Sequence, residues 1–483
     1  MSRTVSIDPV TRLEGAGRIE VTLDASGRVE RARFRVVDFK GFETFCRGRA
    51  AEEMPTLTQK ICGVCPTAHH IASVKALDRV FRAAPPAAAN AVRELAYQGF
   101  LFEDHLLHFL VMGGPDFLAS GGEDRSLPAL LNGPHGSVLR QLLEVRARVR
   151  DLATLSSGSA LYPVFGVPGG VSRTVREEDR ERIQEIAKEA VSAARTALEL
   201  FHEHILPSPL YSELLEAPHL SHRLYSMGLV DRVGTLSPYD GEVRVVGPEG
   251  EQFDQFDAGA FETRLEERVE PWTYMKPVFL KEIGWQGYTD GSASGIYRVG
   301  PLARLNVADG LPTPLAQAES ERMFDRLGEK PAHQTMAYHW ARLIESLYAA
   351  ERMQELAAEE RLTRQDVRTP IEPGGGEGTG VCEAPRGTLF HRYLVDGDGI
   401  VESANLVVAT QHNGAAINMS VEAVARALIR EGVIPQHIEN RVEMAFRAYD
   451  PCLACAAHRI ETSGRPPSRF RVLDHQGETV YSR

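Results

Sequence analysis

Apolar and polar residues alternate along the first forty positions of the chain, which is the pattern of β-strands. Apolar side chains recur at every second position through 5–7, 18–23 and 29–37, and a turn at 25–27 joins the last two runs. A period of two directs one face of each strand toward a core. The pattern predicts a β-hairpin, and residues 8–15 form a polar turn before it that could reach into a site.

The middle of the chain has the period of amphipathic helices instead. Apolar residues recur every three or four positions through these stretches: 67–81, 87–112, 136–156, 175–205, 334–361 and 421–430. Residues 41–60 predict a further short helix. Residues 220–305 have shorter apolar runs, many Gly and Pro, and a strand-like stretch at 242–246. They indicate either an inserted β element or an elaborated loop region.

Neither an internal repeat nor a long linker divides the 483 residues. We therefore predict an α+β fold with a large, mainly helical core, an N-terminal β-hairpin region and smaller inserted β elements. The hydrophobic share of 43% is ordinary for a globular chain with a substantial core.

Composition and charge exclude several classes of protein. No apolar run approaches the ~20 residues of a transmembrane helix, and charged residues and histidines interrupt the nearest one at 99–113. The first residues lack the apolar core of a secretory signal. Net charge −12 and a pI of about 5.8 argue against a nucleic-acid surface. The chain is expected to be cytoplasmic, without a membrane span and without a nucleic-acid partner.

Four of the six cysteines form two pairs that lie at opposite ends of the chain. Cys62 and Cys65 are followed by His69, and Cys452 and Cys455 are followed by His458 at nearly the same spacing. Soft thiolate sulfur selects nickel, zinc, copper or iron. The first pair precedes a predicted helix, and a helix N-terminus favours thiolate. The other two cysteines, Cys46 and Cys382, are expected to be ordinary buried or loop thiols.

The cysteine pairs by themselves leave three kinds of site open. A structural zinc site is the simplest, although zinc ribbons place their pairs roughly 15–20 residues apart. An iron–sulfur cluster is the second, although its cysteines are usually closer in sequence. A redox or hydride-handling metal centre is the third.

The glycine-rich stretch 373–380 matches neither phosphate-loop pattern, and no clear strand precedes it. Its expected role is to place residues 384–387 beside the metal.

Five motifs, taken together, resemble the large, catalytic subunit of nickel–iron hydrogenases. In chain order they are Asp8-Pro9-Val10-Thr11-Arg12-Leu13-Glu14-Gly15, Gly41-Phe42-Glu43, Ile61-Cys62-Gly63-Val64-Cys65 with His69, Ala384-Pro385-Arg386-Gly387, and Asp450-Pro451-Cys452 with Cys455 and His458. The resemblance spans almost the whole chain. Three shorter stretches are similar to the cytoplasmic branch that serves NAD-linked or heterodisulfide-linked complexes: 41–45, 69–70 and 410–413.

The resemblance implies a ligand set and an activity. Cys62 and Cys452 would be terminal nickel ligands, and Cys65 and Cys455 would bridge nickel to an iron that carries cyanide and carbon monoxide, Fe(CN)2(CO). Glu14 would take a proton from the Cys452 thiol. The implied reaction is the reversible heterolytic cleavage of H2, which needs a metal to take hydride and a base to take the proton. A nickel-bound thiolate or the Arg386 side chain could be that base.

The resemblance also implies the surroundings of the metals. Asp104, Pro385, Arg386 and Asp450 would form a polar canopy over them, with His69 nearby. Separately, Glu43 and His458 would help to hold a magnesium ion, together with a backbone carbonyl near Asn413. The residues alone allow plainer roles: a buried salt bridge for Arg386 with Asp104, a satisfied helix histidine for His69, and helix-face positions for His105 and His108.

Partners and processing follow from the same resemblance. Because no spare cysteines could hold a cluster relay, an iron–sulfur small subunit is expected, with further NAD- or heterodisulfide-linked electron-transfer subunits. Residues 1–458 would form the catalytic domain, and a maturation protease would remove residues 459–483 after nickel insertion. A retained tail is expected to hold the second cysteine pair open. Lys60 stands where the family usually has arginine, which puts the hydrogen bonding of the first cysteine loop in question.

Two other functions share part of this evidence. A quinone-site homologue from a respiratory complex has the same ancestry but lacks the cysteines. A structural zinc protein would explain the thiols but not the order of the motifs.

Overall fold

The structure is a computed structural model of the full chain. It describes residues 3–7, 10–37, 41–119, 124–157, 159, 162–436, 438–456, 471–473 and 479–482. The α-helices are Phe42–Cys46, Met54–Thr58, Pro66–Val80, Ala87–Leu107, Pro115–Leu118, Leu127–Asn132, Gly136–Ser157, Glu177–Leu200, Pro209–Leu215, Phe261–Arg264, Pro301–Val307, Pro314–Leu327, Ala337–Ala358, Ala409–His412, Gly414–Leu428, Ile438–Arg447 and Leu453–Ala456. Single π-turns, His108–Met112 and Phe201–Ile205, extend two of these helices.

The strands are Arg3–Ile7, Gly17–Leu23, Val29–Val36, Gly166–Val167, Gly170–Val171, Tyr225–Val230, Glu242–Val246, Gln252–Phe256, Leu265–Glu267, Val278–Leu280, Tyr297–Arg298, Gly376–Ala384, Gly387–Val395, Val401–Val407, Arg471–Leu473 and Thr479–Ser482. Short 3-10 turns complete the regular structure: Ala51–Glu53, Gln59–Ile61, Pro218–Leu220, Ala258–Ala260 and Glu360–Thr363. The predicted α+β class is confirmed.

Four long helices form the centre of the molecule: Ala87–Leu107, Gly136–Ser157, Glu177–Leu200 and Ala337–Ala358 pack on one another. Ala337–Ala358 is buried on almost every side, as expected for a helix inside a large core. Glu177–Leu200 buries its alanines and isoleucines and leaves its charged face exposed. The helical periodicity of the sequence located all four within a few residues.

The N-terminal hairpin is also present. Gly17–Leu23 and Val29–Val36 pair antiparallel, and Arg3–Ile7 adds a third strand beside the first of them. Arg471–Leu473 pairs with Arg3–Ile7, and Thr479–Ser482 closes the sheet as its outermost strand. The sequence pattern of residues 470–473 predicts a strand, and the structure has a strand at Arg471–Leu473.

The region 220–305 contains an inserted β element. Its four-stranded sheet has the order Tyr297–Arg298, Tyr225–Val230, Glu242–Val246, Gln252–Phe256. This settles the choice between a sheet and an elaborated loop, because the short apolar runs are sheet strands.

The glycine-rich stretch forms the start of a long strand, Gly376–Ala384, which packs against the Pro66–Val80 helix. A Cβ at Gly378 would lie 2.2 Å from the Ala76 carbonyl oxygen, and one at Gly380 would lie 2.0 Å from that of Ala72. The glycines let strand and helix approach closely. Sequence patterning missed the strand because glycine is depleted in strands.

Within the described part of the chain, no helix is both long enough and apolar enough to cross a bilayer.

Candidate metal centre

The four thiols of the two cysteine pairs converge at one buried point. Cys62 ends a short 3-10 turn, and Cys65 is the N-cap of the Pro66–Val80 helix. The sulfur atoms are 3.2 Å apart for Cys62 and Cys452, 3.2 Å for Cys65 and Cys455, and 3.0 Å for Cys452 and Cys455. All four sulfurs lie within 4.8 Å of one another. The fold therefore gathers two distant loops into a single cluster of sulfur ligands.

Backbone hydrogen bonds fix the second cysteine loop against the N-terminal turn. The Leu453 amide donates to the Glu14 carbonyl at 2.7 Å. The next residue, Gly15, has φ +90°, and a Cβ there would lie 2.6 Å from the Ala454 nitrogen. Only glycine allows this close approach. The Cys452 amide donates to the Thr410 hydroxyl at 2.9 Å, so Thr410 also positions the loop.

The pKa values of three of the four thiols lie above the ordinary thiol value. Burial raises the pKa of Cys452 and Cys455 well above the ordinary thiol value. At Cys65, hydrogen bonds from Cys452 and Cys455 lower the pKa, but a hydrogen bond to Cys62 and burial outweigh them and raise it to about 11. Only the pKa of Cys62 falls: burial opposes the shift, and hydrogen bonds from the other three thiols overcome it.

This donor set fits a soft metal centre. Four thiolates in so small a volume repel one another unless a cation neutralises them, and a metal ion deprotonates the thiols that bind it. Sulfur ligands select nickel, iron, zinc or copper(I) over magnesium or calcium.

Glu14 lies directly beside one of the four sulfurs. The Cys452 thiol donates to Glu14 Oε2 at 3.3 Å, and the same oxygen accepts from the Ala454 amide at 3.1 Å. The carboxylate is therefore held where it can receive a proton from that thiol.

Arg386 sits at the tip of the hairpin formed by Gly376–Ala384 and Gly387–Val395. The next residue, Gly387, has φ +140°, and a Cβ there would meet Val299 at 2.1 Å. The buried guanidinium donates to Asp104 Oδ2 at 3.2 Å and to Asp450 Oδ1 at 3.1 Å. Its Nε has no hydrogen-bond partner among the described residues. An unsatisfied N–H in a dry site is costly, so this donor fits an acceptor that the protein does not supply.

Arg386, Asp104 and Asp450 shift one another's pKa values, but burial outweighs the ion pairing at both aspartates. Burial raises the pKa of Asp104, although Arg386 opposes the shift. Burial likewise raises the pKa of Asp450 to about 6 against the charges of Arg386 and Arg342. Burial lowers the pKa of Arg386, but the two aspartates outweigh it and raise the value well above normal. Arg386 therefore remains a cation, which makes it a poor base.

Pro385 precedes Arg386 at the same hairpin tip, and its carbonyl accepts a hydrogen bond from Arg304 at 3.2 Å. Arg304 also binds Glu345 and Glu383, and all three side chains are completely buried. Sequence reasoning missed this network. Its members lie on two helices and a strand and are far apart in sequence, so no local pattern marked them.

His69 contacts the cluster through one ring nitrogen. Its Nε2 lies 3.4 Å from Cys455 Sγ, and its Nδ1 lies 3.0 Å from Nε2 of His391. His391 in turn pairs with the Tyr393 hydroxyl at 2.9 Å. The neighbouring His70 instead bonds the Pro55 carbonyl and the Gly166 amide. His391 and Tyr393 were missed, since neither belongs to a recognisable motif.

The expected magnesium ligands are only partly described. Glu43 accepts from the Leu406 amide at 2.9 Å, and burial raises its pKa. The Asn413 side chain is directed to the backbone of Val299 and Arg386. His458 lies outside the described residues, as do Asp8 and Pro9 of the first motif. The described residues therefore do not bring a complete magnesium ligand set together.

The remaining candidates have plainer surroundings. His105 pairs with Glu345 at 2.9 Å, and His108 with the Arg447 carbonyl at 2.9 Å, so they are core histidines with separate partners. Cys46 and Cys382 are buried thiols, and burial raises the pKa of each to about 12. The Lys60 ammonium lies 3.7 Å from the ring centroid of Tyr162, a cation–π contact.

A buried ionic cluster anchors the N-terminal turn that carries Glu14. Arg447 binds Asp116 at 3.0 Å, and Arg12 binds the same aspartate and the Met112 carbonyl. The Thr11 amide donates to Glu443 at 3.0 Å. Apart from Thr11 and Arg12, none of these residues was predicted.

The expectation that a retained tail holds the second cysteine pair open is wrong. The structure places Arg471–Leu473 and Thr479–Ser482 in the N-terminal sheet while Cys452 and Cys455 are buried against the first pair. The hydrogen bonds of Glu14 and Thr410 close the second loop without removal of these strands.

Comparisons with known proteins agree with the geometry. Residues 40–120 and 293–458 match the family described as nickel-dependent hydrogenase, and residues 4–39 match one described as HoxL-like. An iron-sulfur subunit of the F420-non-reducing hydrogenase of Archaeoglobus profundus is 40% identical over 482 residues, with 99% of each chain covered. The NAD-reducing hydrogenase HoxS subunit beta of Cupriavidus necator is 32% identical over 502 residues, with 100% of each covered.

Solved structures show the same fold. An NAD+-reducing NiFe hydrogenase in the H2-reduced state has a TM-score of 0.85 at 36% identity, with 94% of this chain and 99% of that chain covered. The Ni-Fe-Se hydrogenase from D. vulgaris Hildenborough has a TM-score of 0.72 at 26% identity, with 95% and 100% covered. The comparisons lend no support to the quinone-site or structural-zinc alternatives. The chain belongs to the nickel-dependent hydrogenase family and is the catalytic large subunit of a nickel–iron hydrogenase.

Proposed function

We propose that the four converging thiolates hold a nickel–iron pair, with Cys62 and Cys452 as terminal nickel ligands and Cys65 and Cys455 bridging to an Fe(CN)2(CO) unit. The observation that carries this proposal is the burial of four sulfurs within 4.8 Å, together with an Arg386 Nε that has no hydrogen-bond partner among the described residues. When bound, the metal pair supplies the electron-accepting half of heterolytic H2 cleavage.

Cys452 is the thiolate that receives the proton, and Glu14 carries it away. Cys452 is the one sulfur of the four with a hydrogen bond to a carboxylate among the described contacts, at 3.3 Å. The geometry lies just beyond the usual range for proton transfer and suits a relay that tightens during turnover. Arg386 is the weaker candidate for the base, because its two aspartates favour its charged form.

Arg386 has a positioning role. Asp104 and Asp450 hold its two terminal nitrogens, so its Nε has a fixed direction and is free to donate to a cyanide nitrogen. Groups around a metal site commonly orient its ligands in this way. Pro385 fixes the same hairpin tip through its carbonyl bond to Arg304.

His69 acts on Cys455, one of the two sulfurs proposed to bridge the metals. With Nδ1 held by His391, its Nε2 faces Cys455 and can donate to the thiolate, which lowers the electron density on that sulfur. Separately, Glu43 and His458 would hold a structural magnesium ion with a backbone carbonyl. Support for this ion comes from the motif resemblance and from the partly buried carboxylate of Glu43.

We further propose a cytoplasmic, heteromeric enzyme. The similar proteins are named as subunits of F420-non-reducing and NAD-reducing hydrogenases. Only two cysteines, Cys46 and Cys382, lie outside the four-thiol cluster, which is too few to hold a relay of iron–sulfur clusters, so the relay has to come from a small subunit. Further NAD- or heterodisulfide-linked subunits would pass the electrons on. A maturation protease would remove residues 459–483, which intact mass spectrometry of the active enzyme tests.

Metal analysis of the purified complex tests the central assignment. We expect about one nickel and one non-cluster iron per large subunit, and Cys65→Ser should lose both while the Cys46→Ser control keeps them. Stoichiometric zinc as the only metal of the large subunit would overturn the proposal.

A further inference from the structure

A cavity away from the four thiols has the chemistry of an anion site. It encloses about 290 Å3 between the outer strand of the N-terminal hairpin, the Gly414–Leu428 helix and the aromatic segment around Trp272 and Tyr288. This volume is at the lower end of the range typical of small-molecule sites. None of the residues assigned to the metal centre lines it.

Two arginines of the outer strand line this cavity without counter-ions. Arg31 and Arg33 make no ion pair with any carboxylate among the described residues. The Arg33 guanidinium instead stacks on Trp272, 4.8 Å from the ring centroid. Burial and the positive charge of Arg31 lower the pKa of Arg33, so the two guanidinium groups repel each other. In a protein of net charge −12, an unneutralised pair of cations is notable.

The acidic residues near these arginines are already engaged. Glu422 accepts from Arg426 at 2.8 Å and from the Ala32 amide at 3.0 Å. Glu270 accepts from Arg268 at 2.8 Å and from the Trp272 indole at 3.0 Å. The cavity therefore keeps a net positive charge.

Two polar side chains complete the lining and have unused hydrogen-bonding atoms. His222 is 8% exposed, and its Nε2 has no partner among the described residues. The Tyr288 hydroxyl is also buried and unpartnered within the same part of the chain. Buried polar atoms are normally satisfied, so two such atoms on one cavity indicate a missing ligand.

We propose that this cavity binds a small dianionic oxyanion, either inorganic phosphate or a small phosphate monoester. Arg31 and Arg33 provide two positive charges, which match a dianion better than a carboxylate. The Tyr288 hydroxyl and His222 Nε2 supply neutral hydrogen bonds to further oxygens. Binding removes the repulsion between the arginines and satisfies both orphaned atoms. The site is separate from the proposed hydrogenase chemistry and does not depend on it.

Calorimetric titration of the complete hydrogenase complex with inorganic phosphate, at constant ionic strength, tests the site. We expect saturable binding with one site per large subunit, together with a change in Trp272 fluorescence. Arg33→Gln should weaken binding about tenfold or more, since a charge-assisted contact contributes about that much. Tyr288→Phe should weaken it severalfold. Arg232→Gln makes the same charge change at an exposed position outside the cavity and should bind phosphate like the wild type.

The competing outcomes are distinct. Acetate should bind far more weakly than phosphate; equal affinity would overturn the assignment to a dianion. No saturable binding, or equal weakening by Arg33→Gln and Arg232→Gln, would overturn the site itself. If Arg33→Gln fails to fold, Tyr288→Phe decides, because it removes only one hydroxyl, and phosphate affinity equal to that of the wild type would then count against the site. Unchanged metal content in each variant shows that the metal centre is intact.

Discussion

Two buried arginines, Arg304 and Arg386, each lie between two carboxylates, yet their surroundings differ. All five N–H groups of Arg304 have acceptors: Glu345, Glu383 and the carbonyls of Ala384 and Pro385. Arg386 makes one hydrogen bond to each aspartate and leaves Nε without a described partner. The complete network is what a structural element requires. The incomplete one leaves a donor for a ligand.

The contrast extends to the pKa of one carboxylate beside each arginine, whereas burial raises the pKa of Glu383, the second partner of Arg304, although Arg304 opposes the shift. At Glu345, burial would raise the pKa, but the charge and hydrogen bonds of Arg304 lower it to about 2. At Asp450, burial wins over Arg386 and Arg342 and raises the pKa to about 6. Arg304 therefore fully compensates Glu345, whereas Arg386 does not fully compensate Asp450. Two arginines that look alike in sequence have different functions in the fold.

The largest effect should come from breaking the complete network. Arg304→Met leaves Glu345 and Glu383 buried without a counter-ion, and we expect a loss of about 3–5 kcal/mol in the free energy of unfolding. Guanidinium denaturation of the purified chain measures it. Arg322→Met, a surface change on the Pro314–Leu327 helix, is the control and should cost almost nothing. If Arg304→Met lost less free energy of unfolding than Arg386→Met, the contrast between a structural Arg304 and a ligand-binding Arg386 would be contradicted.

The next effect concerns the proton. Glu14→Gln keeps the size of the side chain but removes its titratable group, and we expect turnover and H/D exchange with solvent to fall by about 10²–10⁴. Metal content, cyanide bands and the conversion of para-hydrogen to ortho-hydrogen should persist, because none of them needs the proton to leave the site. Glu20→Gln removes a carboxylate that pairs with Arg35 in the neighbouring strand and serves as the control. Full exchange in Glu14→Gln would remove Glu14 from the proton route.

Arg386→Lys tests the incomplete hydrogen-bond network of Arg386. Lysine keeps the charge between Asp104 and Asp450 but has no equivalent of Nε, so we expect H2 oxidation to slow by about 10²–10³ with little loss of stability. Arg392→Lys makes the same exchange on the strand that follows, Gly387–Val395, where the side chain pairs with Glu377. It should keep full activity in a dye-reduction assay. Equal activity of both variants would show that the guanidinium group of Arg386 is not needed for H2 oxidation.

The smallest effect is a pH dependence of stability. Because the pKa of Glu345 is lowered to about 2 from 4.5, its ion pair contributes fully above pH 4.5, and the contribution is lost as pH falls toward 2. The shift corresponds to about 3 kcal/mol. Denaturant titrations should show the stability difference between wild type and Glu345→Gln shrinking across that window. A difference that stays constant from pH 5 to pH 2 would disprove the pairing.

Sequence predicted the long helices, the hairpin and the meeting of the four thiols, because periodicity is local and the cysteine motifs are distinctive. It missed the Gly376–Ala384 strand, since its glycines serve close packing against a helix rather than strand propensity. It also missed Glu345, Glu383 and His391. Each is a polar residue outside the recognised motifs, and it has a partner far away in sequence. Partners of this kind emerge only when the chain has folded.

The most direct measurement is the infrared spectrum of the intact enzyme and of Arg386→Lys. If the four thiols hold the nickel–iron pair and Arg386 donates to its diatomic ligands, the wild type shows cyanide and carbonyl stretching bands. The cyanide bands then shift in Arg386→Lys while nickel and iron content stay constant. Absence of these bands in an enzyme whose large subunit holds only zinc, or cyanide bands that are identical in the two proteins, would contradict the account.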